Sequence, residues 1–337
     1  MYSSYSSLQQ SQLAAQGYYD TQSTYLLVYA PGRNTALRAT LADQLHRKFR
    51  LADTLGSALT EGVDGVLLVS EDVECMSTAL MCFAKALQDG ADYAVCNAVF
   101  GFGGATALYQ SRAHLAQNRC ALVSRPLLER CRAAAKDPEN VTELLALAAQ
   151  FCAHPARIPQ ALLHYERDIC AEDAFSATGK RAFLMSHVLD MTGAPIVLVS
   201  AVPVLRSMGY EVVVLGPSDG GALQLFVDAG AAVITRPGIR ATPNLWGLAL
   251  CTDLVLVNTV VMARTVRALS GTAVPVLWWL HDAFAGYPHI AHQIPTKLAE
   301  NVRLYSVGHH AANAMHAVRP DFQIGQLIYG LPDYAAE

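Results

Sequence analysis

Two groups of polar residues in this 337-residue chain stand where an apolar run of strand length ends. The first is the acidic run Glu71-Asp72-Val73-Glu74, which follows the apolar run 65–70. Asp72 and Glu74 are two positions apart, so both carboxylates can face one divalent cation, and a cation held by oxygen ligands can bridge a diphosphate. The sequence therefore predicts a Mg²⁺ or Mn²⁺ site at Asp72 and Glu74, and an ordinary acidic loop is the alternative.

The second group lies in the C-terminal half, at the ends of three apolar runs. Its members are His187, Asn258, Thr259, His281 and Asp282. In a parallel sheet the ligand crevice lies outside the carboxyl ends of the strands. We therefore expect Asn258, Thr259 and Asp282 to bind substrate and His281 to face the reacting group. A strand-end histidine satisfied by a neighbouring carbonyl is the alternative for His281.

A short loop between a strand and a helix supplies two further candidates. The loop carries Gly193 and Ala194 and is followed by Pro195, a residue that fits the first turn of a helix. Backbone N–H groups and the positive end of the helix dipole favour phosphates and other anions at such a position. We expect Gly193 and Ala194 to approach phosphate or acceptor. The loop lacks the GxGxxG pattern, so a plain structural turn is the alternative.

Short apolar runs alternate with segments of helical length along most of the chain, which predicts an α/β fold made of two Rossmann-like lobes. The clearer lobe is 181–337, and a weaker one is 25–168. Residues 1–24 are rich in Ser, Gln and Tyr and are expected to be a disordered tail, and the polar segment 169–180 is expected to be a linker. The strands expected in the clearer lobe are 182–188, 211–215, 231–235, 253–258, 274–281, 303–307 and 326–329.

Residues 181–334 resemble the N-terminal half of a GT-B glycosyltransferase of the retaining family-4 type. Five segments carry the resemblance by their order and spacing: SHVLDMTGAP, LRSMGYEVVVLGPSDGGALQLFVDAGAAVI, DLVLVNTVV, VPVLWWLHDA and LIYGLPDY. The resemblance implies that this half holds a glycan or lipid-linked acceptor, while a C-terminal half with a Glu pair holds the nucleotide-sugar donor. These 337 residues do not contain that donor half, so we expect that the chain alone transfers no sugar.

Residues 25–168 resemble a GT-A glycosyltransferase of the large inverting family-2 type in the segments ADTLGSALTEGVDGVLLVSEDVE, CALVSRPLLERC and ARIPQALLHYERD. The resemblance implies that Asp72 and Glu74 occupy the DxD-type motif that carries the metal and the nucleotide diphosphate. Two departures make this a truncated domain. The family's opening strand has no counterpart before Tyr25. The acidic pair that supplies the family's acceptor-activating base should fall at ENVTE. Glu143 or Glu139 is the candidate for this catalytic base, and a plain surface glutamate is the alternative for each.

Composition excludes several classes of protein. Charged residues are 15% and the net charge is −4, so the composition does not favour nucleic-acid binding. No apolar run reaches the roughly 18 residues of a spanning helix, and the N-terminus lacks the pattern of a signal peptide. We expect a cytoplasmic protein that a lipid-linked acceptor would bring to the inner face of the membrane. The eight cysteines include no CxxC pair, which favours buried thiols over disulfides or a zinc site.

The sequence thus predicts a glycosyltransferase-derived protein of polysaccharide or cell-surface glycan biosynthesis. A non-catalytic glycan-binding or scaffold module, or a piece of a longer bifunctional glycosyltransferase, is the alternative from another class. A dinucleotide-dependent oxidoreductase is disfavoured because no GxGxxG followed by a ribose-binding acid is present.

Overall fold

The computed structural model describes residues 18–32, 34–56, 59, 62–101, 106–176, 179–239 and 246–329. The chain forms two compact units, residues 1–169 and 170–337, and both are α/β. In the described ranges, no helix combines the length and the apolar character that crossing a membrane requires.

The first unit is built on a mixed sheet. Its strands are β1 (Leu26–Tyr29), β2 (Phe49–Ala52), β3 (Gly65–Val69), β4 (Glu74–Cys75), β5 (Tyr93–Phe100), β6 (Thr106–Tyr109), β7 (Cys120–Ser124) and β8 (Pro155–Tyr165). The strand order is β6-β5-β7-β3-β1-β2, with β8 pairing β5 and β4. β1 is parallel to both neighbours, whereas β7 runs antiparallel to β3 and β5. β2 and β3 pair with β1 on opposite sides, so the strand order reverses at β1. A crevice is therefore expected at the carboxyl ends of β1 and β3.

Four α-helices flank this sheet within the described residues: α1 (Thr35–Leu41), α2 (Ala79–Gln88), α3 (Arg125–Ala134) and α4 (Val141–Phe151). Leu27 of β1 and Leu68 of β3 pack in one apolar core with Leu128 of α3 and Leu144 of α4, and all four are completely buried. Burying one such side chain stabilises the fold by about 1.5–3 kcal/mol. This core therefore fixes the face of the sheet that carries α3 and α4.

The structure corrects two boundaries in this unit. The predicted tail reaches too far, because Tyr18–Ser23 form a 3₁₀ helix in which Thr21 is buried beside His46, their Oγ1 and Nδ1 atoms 3.3 Å apart. Residues 1–17 lie outside the described part of the chain. The segment from Thr35 to Lys48 has helical length in the sequence, but α1 ends at Leu41. The buried side chain of Gln44 donates to the carbonyl of Met76 and accepts from the amide of Leu80, so the chain turns there and enters β2.

The second unit is built on a parallel sheet. Its strands are β9 (Lys180–Met185), β10 (Tyr210–Gly216), β11 (Ala232–Thr235), β12 (Leu254–Asn258), β13 (Val276–Leu280), β14 (Val302–Ser306) and β15 (Ile324–Gln326). Their order is β15-β14-β13-β12-β9-β10-β11, and every pairing described in this sheet is parallel. The order reverses between β9 and β12, which places a crevice at the carboxyl ends of these two strands.

Helices connect these strands as the alternation of apolar runs predicts. They are α5 (Ala171–Ala174), α6 (Gly193–Ser207), α7 (Leu223–Asp228), α8 (Trp246–Ala249), α9 (Ala263–Leu269), α10 (Tyr287–Ile290) and α11 (His309–His316). The segment expected to be a linker instead begins this unit. Phe175 is buried and lies next to Phe183 of β9, with ring centroids 6.5 Å apart, so apolar contact holds the segment against the sheet.

Candidate functional site

The crevice of the second unit is formed by the segments that follow β9, β12 and β13. β9 leads into the loop before α6, and β12 and β13 end directly beside it because β12 pairs with both β9 and β13. The predicted residues Asn258, Thr259, His281 and Asp282 lie at the ends of β12 and β13, and Gly193 and Ala194 open α6. The parallel topology therefore brings together side chains that are up to 89 positions apart in sequence.

Hydrogen bonds connect the three segments. Asn258 Nδ2 donates to the carbonyl of Ala194 over 3.0 Å, which ties the end of β12 to the first turn of α6. Asp282 Oδ2 accepts from the amide of Val260 over 2.6 Å, which ties the end of β13 to the segment after β12. Asp282 thus positions neighbouring backbone, and the substrate-binding roles expected for Ala194 and Asp282 stay predictions. Burial raises the pKa of the Asp282 carboxyl.

Thr259 has a strained backbone. Among the non-glycine residues that the structure describes, Thr259 alone has a positive φ, which is 71°. A β-branched residue adopts such a φ only when its surroundings impose it. The buried indole of Trp278 donates from Nε1 to the carbonyl of Thr259 over 2.8 Å, and Thr259 Oγ1 lies 3.4 Å from Nδ1 of His187. Strain of this kind clusters at functional sites.

His281 is partly buried at the end of β13 and stands against Trp279, with ring centroids 4.7 Å apart. Burial, and secondarily the nearby His187, lower the pKa of His281 to about 4. The imidazole is therefore neutral at pH 7. Trp279 is itself buried and donates from Nε1 to the carbonyl of Leu327, so it forms a wall of the crevice and not an exposed sugar platform.

At the ends of three neighbouring strands, buried polar atoms lack a hydrogen-bond partner among the described residues. They are Asn258 Oδ1 at the end of β12, His281 Nε2 directly after β13, and Ser306 Oγ at the end of β14. Buried polar groups are hydrogen-bonded in the great majority of cases, so three such atoms on adjacent strands call for an explanation. The carbonyl-satisfied alternative for His281 does not hold for Nε2. Sequence reasoning missed Ser306, although its position at the end of an apolar run was visible.

Gly193 opens α6 and needs no glycine for steric reasons. A Cβ built on it meets nothing within 4 Å, and its φ is not positive. We expect Gly193→Ala to leave the unfolding free energy of the second unit unchanged or to raise it by up to about 1 kcal/mol, because alanine restricts the unfolded chain and favours helix. Urea unfolding measures this. A loss of stability would instead make Gly193 a packing residue.

The predicted metal site of the first unit is not formed. Asp72 Oδ2 accepts from the amides of Thr35 and Ala36, and Oδ1 from that of Leu37, so this carboxylate caps the N-terminus of α1. Glu74 lies in β4. Its Oε2 accepts a hydrogen bond from Nδ1 of His164 over 2.6 Å, across the β4–β8 pair.

The two carboxylates therefore serve different partners and do not meet at one cation. Glu71, next to them, forms an ion pair with Arg167 over 2.6 Å. Among the residues that the structure describes, no group of three His, Cys, Asp or Glu residues could hold a metal ion. The Mg²⁺ or Mn²⁺ site at Asp72 and Glu74 therefore stays a prediction that requires both carboxylates to exchange their present partners.

The two candidate bases of the first unit also have structural partners. Glu143 accepts from the amides of Lys136 and Asp137, over 2.8 and 3.2 Å, and so holds the turn that precedes its own helix. Glu139 accepts from the amide of Leu55 and from the hydroxyl of Tyr29 at the end of β1. Neither glutamate is thus a plain surface residue, and the role of catalytic base for Glu143 or Glu139 stays a prediction.

Residues 178–316 match the family model for glycosyl-transferase family 4. The match covers the strands and loops that form the crevice of the second unit, and it confirms the resemblance of this part to family-4 glycosyltransferases. It supports a role in sugar transfer. The match does not extend to the first unit, where the resemblance to GT-A enzymes remains a prediction.

No curated protein matches the chain. One solved structure with similarity is the crystal structure of Anabaena Alr3699/HepE in complex with UDP and glucose, at 15% sequence identity and a TM-score of 0.36. The similarity covers 45% of this chain and 45% of that one, so this chain spans less than half of that protein's length.

Proposed function

We propose that the crevice of the second unit binds the hydroxyl groups of a glycan or lipid-linked acceptor, onto which a sugar is transferred from a nucleotide-sugar. The observation that carries the proposal is the family-4 match over the strands that build this crevice. The polar strand ends add chemical support. Sugar hydroxyls donate and accept hydrogen bonds, as Asn258 Oδ1, His281 Nε2 and Ser306 Oγ require.

These three atoms are covered in the present state, so a bound sugar has to displace the side chains that cover them. Leaving a buried polar group unpaired costs about 1–3 kcal/mol. A ligand that satisfies such groups recovers part of that free energy, which offsets the cost of the displacement. A polar acceptor is therefore favoured over an apolar one at the floor of this crevice.

In this proposal His281 orients the acceptor hydroxyl and does not remove its proton. A general base works best with a pKa near the working pH. The pKa of about 4 lies three units below neutrality, a deficit of roughly 4 kcal/mol for proton abstraction. A neutral imidazole can still form a hydrogen bond to a sugar hydroxyl through Nε2.

The direct test measures binding and transfer separately. Saturation-transfer NMR with octyl glucoside is expected to detect binding to the wild-type chain and a reduced signal with Asn258→Ala and His281→Ala. Product formation from UDP-glucose or GDP-mannose and the same acceptor tests transfer. Binding without transfer is the result expected for these 337 residues alone, and absence of binding to this and other octyl glycosides would overturn the proposal.

Ser306 offers a test that separates stability from binding. Both Ser306 and Ser186 are completely buried at strand ends, but Ser186 Oγ donates to the carbonyl of Val188 over 2.6 Å. We expect Ser306→Ala to stabilise the second unit by about 1 kcal/mol and Ser186→Ala to destabilise it by a similar amount. Ser306→Ala should also weaken octyl glucoside binding several-fold. Equal destabilisation by both substitutions would show that the Ser306 hydroxyl is paired.

A further inference from the structure

A cavity of about 450 Å³ lies in the first unit, at the amino ends of the parallel strands β5 and β8. This is the edge of the sheet opposite to the carboxyl ends, where the crevice of the unit lies. The end of α2 and the turn after it form one wall, and residues 153–159 form the other. The volume is within the range of about 300–1,000 Å³ found for small-molecule sites.

The charges around this cavity are mainly positive. Lys85, Arg112 and Arg157 line it together with the imidazole of His154, and Asp89 supplies the carboxylate among the lining residues. Asp89 forms an ion pair with Lys85 one helical turn away. The lining therefore carries a formal charge of +2, counting His154 as neutral, on a chain whose net charge is −4. A positive cavity in an acidic protein selects anions.

The negative end of α2 faces the same region and opposes this effect. Its terminal carbonyls are largely satisfied, because the amides of Asp89, Gly90 and Ala91 donate to the carbonyls of Lys85, Leu87 and Ala86. A helix terminus is equivalent to about half of an elementary charge. Three permanent cations therefore outweigh it.

Apolar side chains line the cavity beside these charged groups. Cys82 and Ile158 are buried there, and Pro155 and Pro159 restrict the backbone of the second wall. Burial raises the pKa of the Cys82 thiol to about 12, so it is not a thiolate at pH 7. The cavity thus combines apolar and cationic side chains, which suits a compact molecule bearing a phosphate on an otherwise less polar body.

We propose that this cavity binds a small phosphate-bearing anion. Guanidinium groups form paired hydrogen bonds to phosphate oxygens, and Lys85 adds a point charge. The concave shape favours a small molecule over a membrane surface or a nucleic acid, both of which need an extended basic face. The site belongs to the first unit and does not depend on the function proposed for the second.

Isothermal titration of the full chain at low ionic strength tests the proposal with inorganic phosphate, glucose 6-phosphate and glucose. Both phosphate-bearing probes are expected to bind, with affinity falling as salt is added. Glucose, for which only the crevice of the second unit is proposed as a site, is expected to show no salt-dependent binding. Tighter binding of glucose 6-phosphate than of inorganic phosphate would identify a phosphorylated metabolite as the ligand class. Equal affinity would identify free phosphate. Failure of both probes to bind would overturn the proposal.

Variants of the i, i+4 ion pair provide a matched comparison. Lys85→Gln should weaken binding about 5-fold, and Asp89→Asn should tighten it several-fold by removing the carboxylate and releasing Lys85. Arg125→Gln is the control, since Arg125 forms the same kind of pair with Glu129 in the same unit but does not line the cavity. If Lys85→Gln does not fold, Asp89→Asn decides alone. Unchanged affinity in Asp89→Asn, or the same loss in Arg125→Gln, would show that these charges do not form the site.

Discussion

Acidification from pH 6.5 to about pH 4 is expected to lower the unfolding free energy of the second unit by about 2–3 kcal/mol through His281. The His281→Gln variant should not show this loss. The pKa of His281 is about 4 in the folded protein and 6.5 in the unfolded chain. Between these values the unfolded chain binds a proton that the folded protein does not bind. Stability therefore falls as the pH falls, and above pH 6.5 the effect vanishes.

Asp282 acts in the opposite direction. Its pKa is raised by burial, so the folded protein binds a proton more readily than the unfolded chain and gains stability as the pH falls. This offsets part of the loss in the wild-type protein. The difference between wild type and His281→Gln isolates the histidine, because Asp282 is present in both.

Tryptophan fluorescence reports this unfolding selectively, since the three tryptophans of the chain, Trp246, Trp278 and Trp279, all belong to the second unit. Urea unfolding is followed at several pH values for the wild type, His281→Gln and the control His289→Gln. His289 is exposed, so its variant should follow the wild-type profile. Identical profiles for the wild type and His281→Gln would contradict the lowered pKa of His281.

Loss of the Asp72 carboxylate is expected to destabilise the first unit by about 1–2 kcal/mol. In Asp72→Ala three backbone amides at the start of α1 lose their acceptor, and α1 has no side-chain cap from Asn34 to replace it. Asp72→Asn keeps one acceptor oxygen and should lose about half as much. A metal ligand at this position would produce the opposite pattern, with little change in stability and loss of Mn²⁺ binding.

Asp53 provides the matched control for this experiment. It pairs with Arg38 of the same helix over 2.5 Å, and both side chains are largely exposed. Such surface pairs contribute only about 0–1 kcal/mol, so Asp53→Asn should have a small effect. Urea unfolding followed by far-UV circular dichroism compares the variants, and Mn²⁺ is titrated into each. Manganese binding by the wild type that Asp72→Ala abolishes would restore the predicted metal site.

The second unit shows how much a sequence of alternating apolar runs determines. Val212 to Leu215 of β10 form a continuous β-branched and apolar run that is completely buried, and such a run fits a strand covered on both faces. The polar residues after the runs therefore had to lie at the carboxyl edge of the sheet. The grouping of Asn258 with His281 could be predicted because parallel topology alone brings strand ends together.

The acidic run of the first unit shows what the sequence left open. The spacing of Asp72 and Glu74 permitted one shared cation, but α1, 35 residues upstream, and His164, 90 residues downstream, compete for the same carboxylates. A carboxylate binds whichever donors the fold brings within reach, and the sequence does not encode that distance locally. Tertiary structure therefore decided that Asp72 caps a helix and Glu74 pairs with a histidine.

The same limit applies to the unsatisfied atoms of the crevice. The sequence by itself predicted that Asn258 and His281 stand at or near the ends of buried strands, because continuous apolar runs mark where such strands lie. Only the tertiary structure decided that Ser186 finds a carbonyl while Ser306 does not. Ser186 reaches a carbonyl only two positions along the chain because the loop after β9 folds back locally, whereas no described group lies within hydrogen-bond distance of the Ser306 hydroxyl. Such distances are set by the folded backbone, whereas burial follows the pattern of apolar residues along the chain.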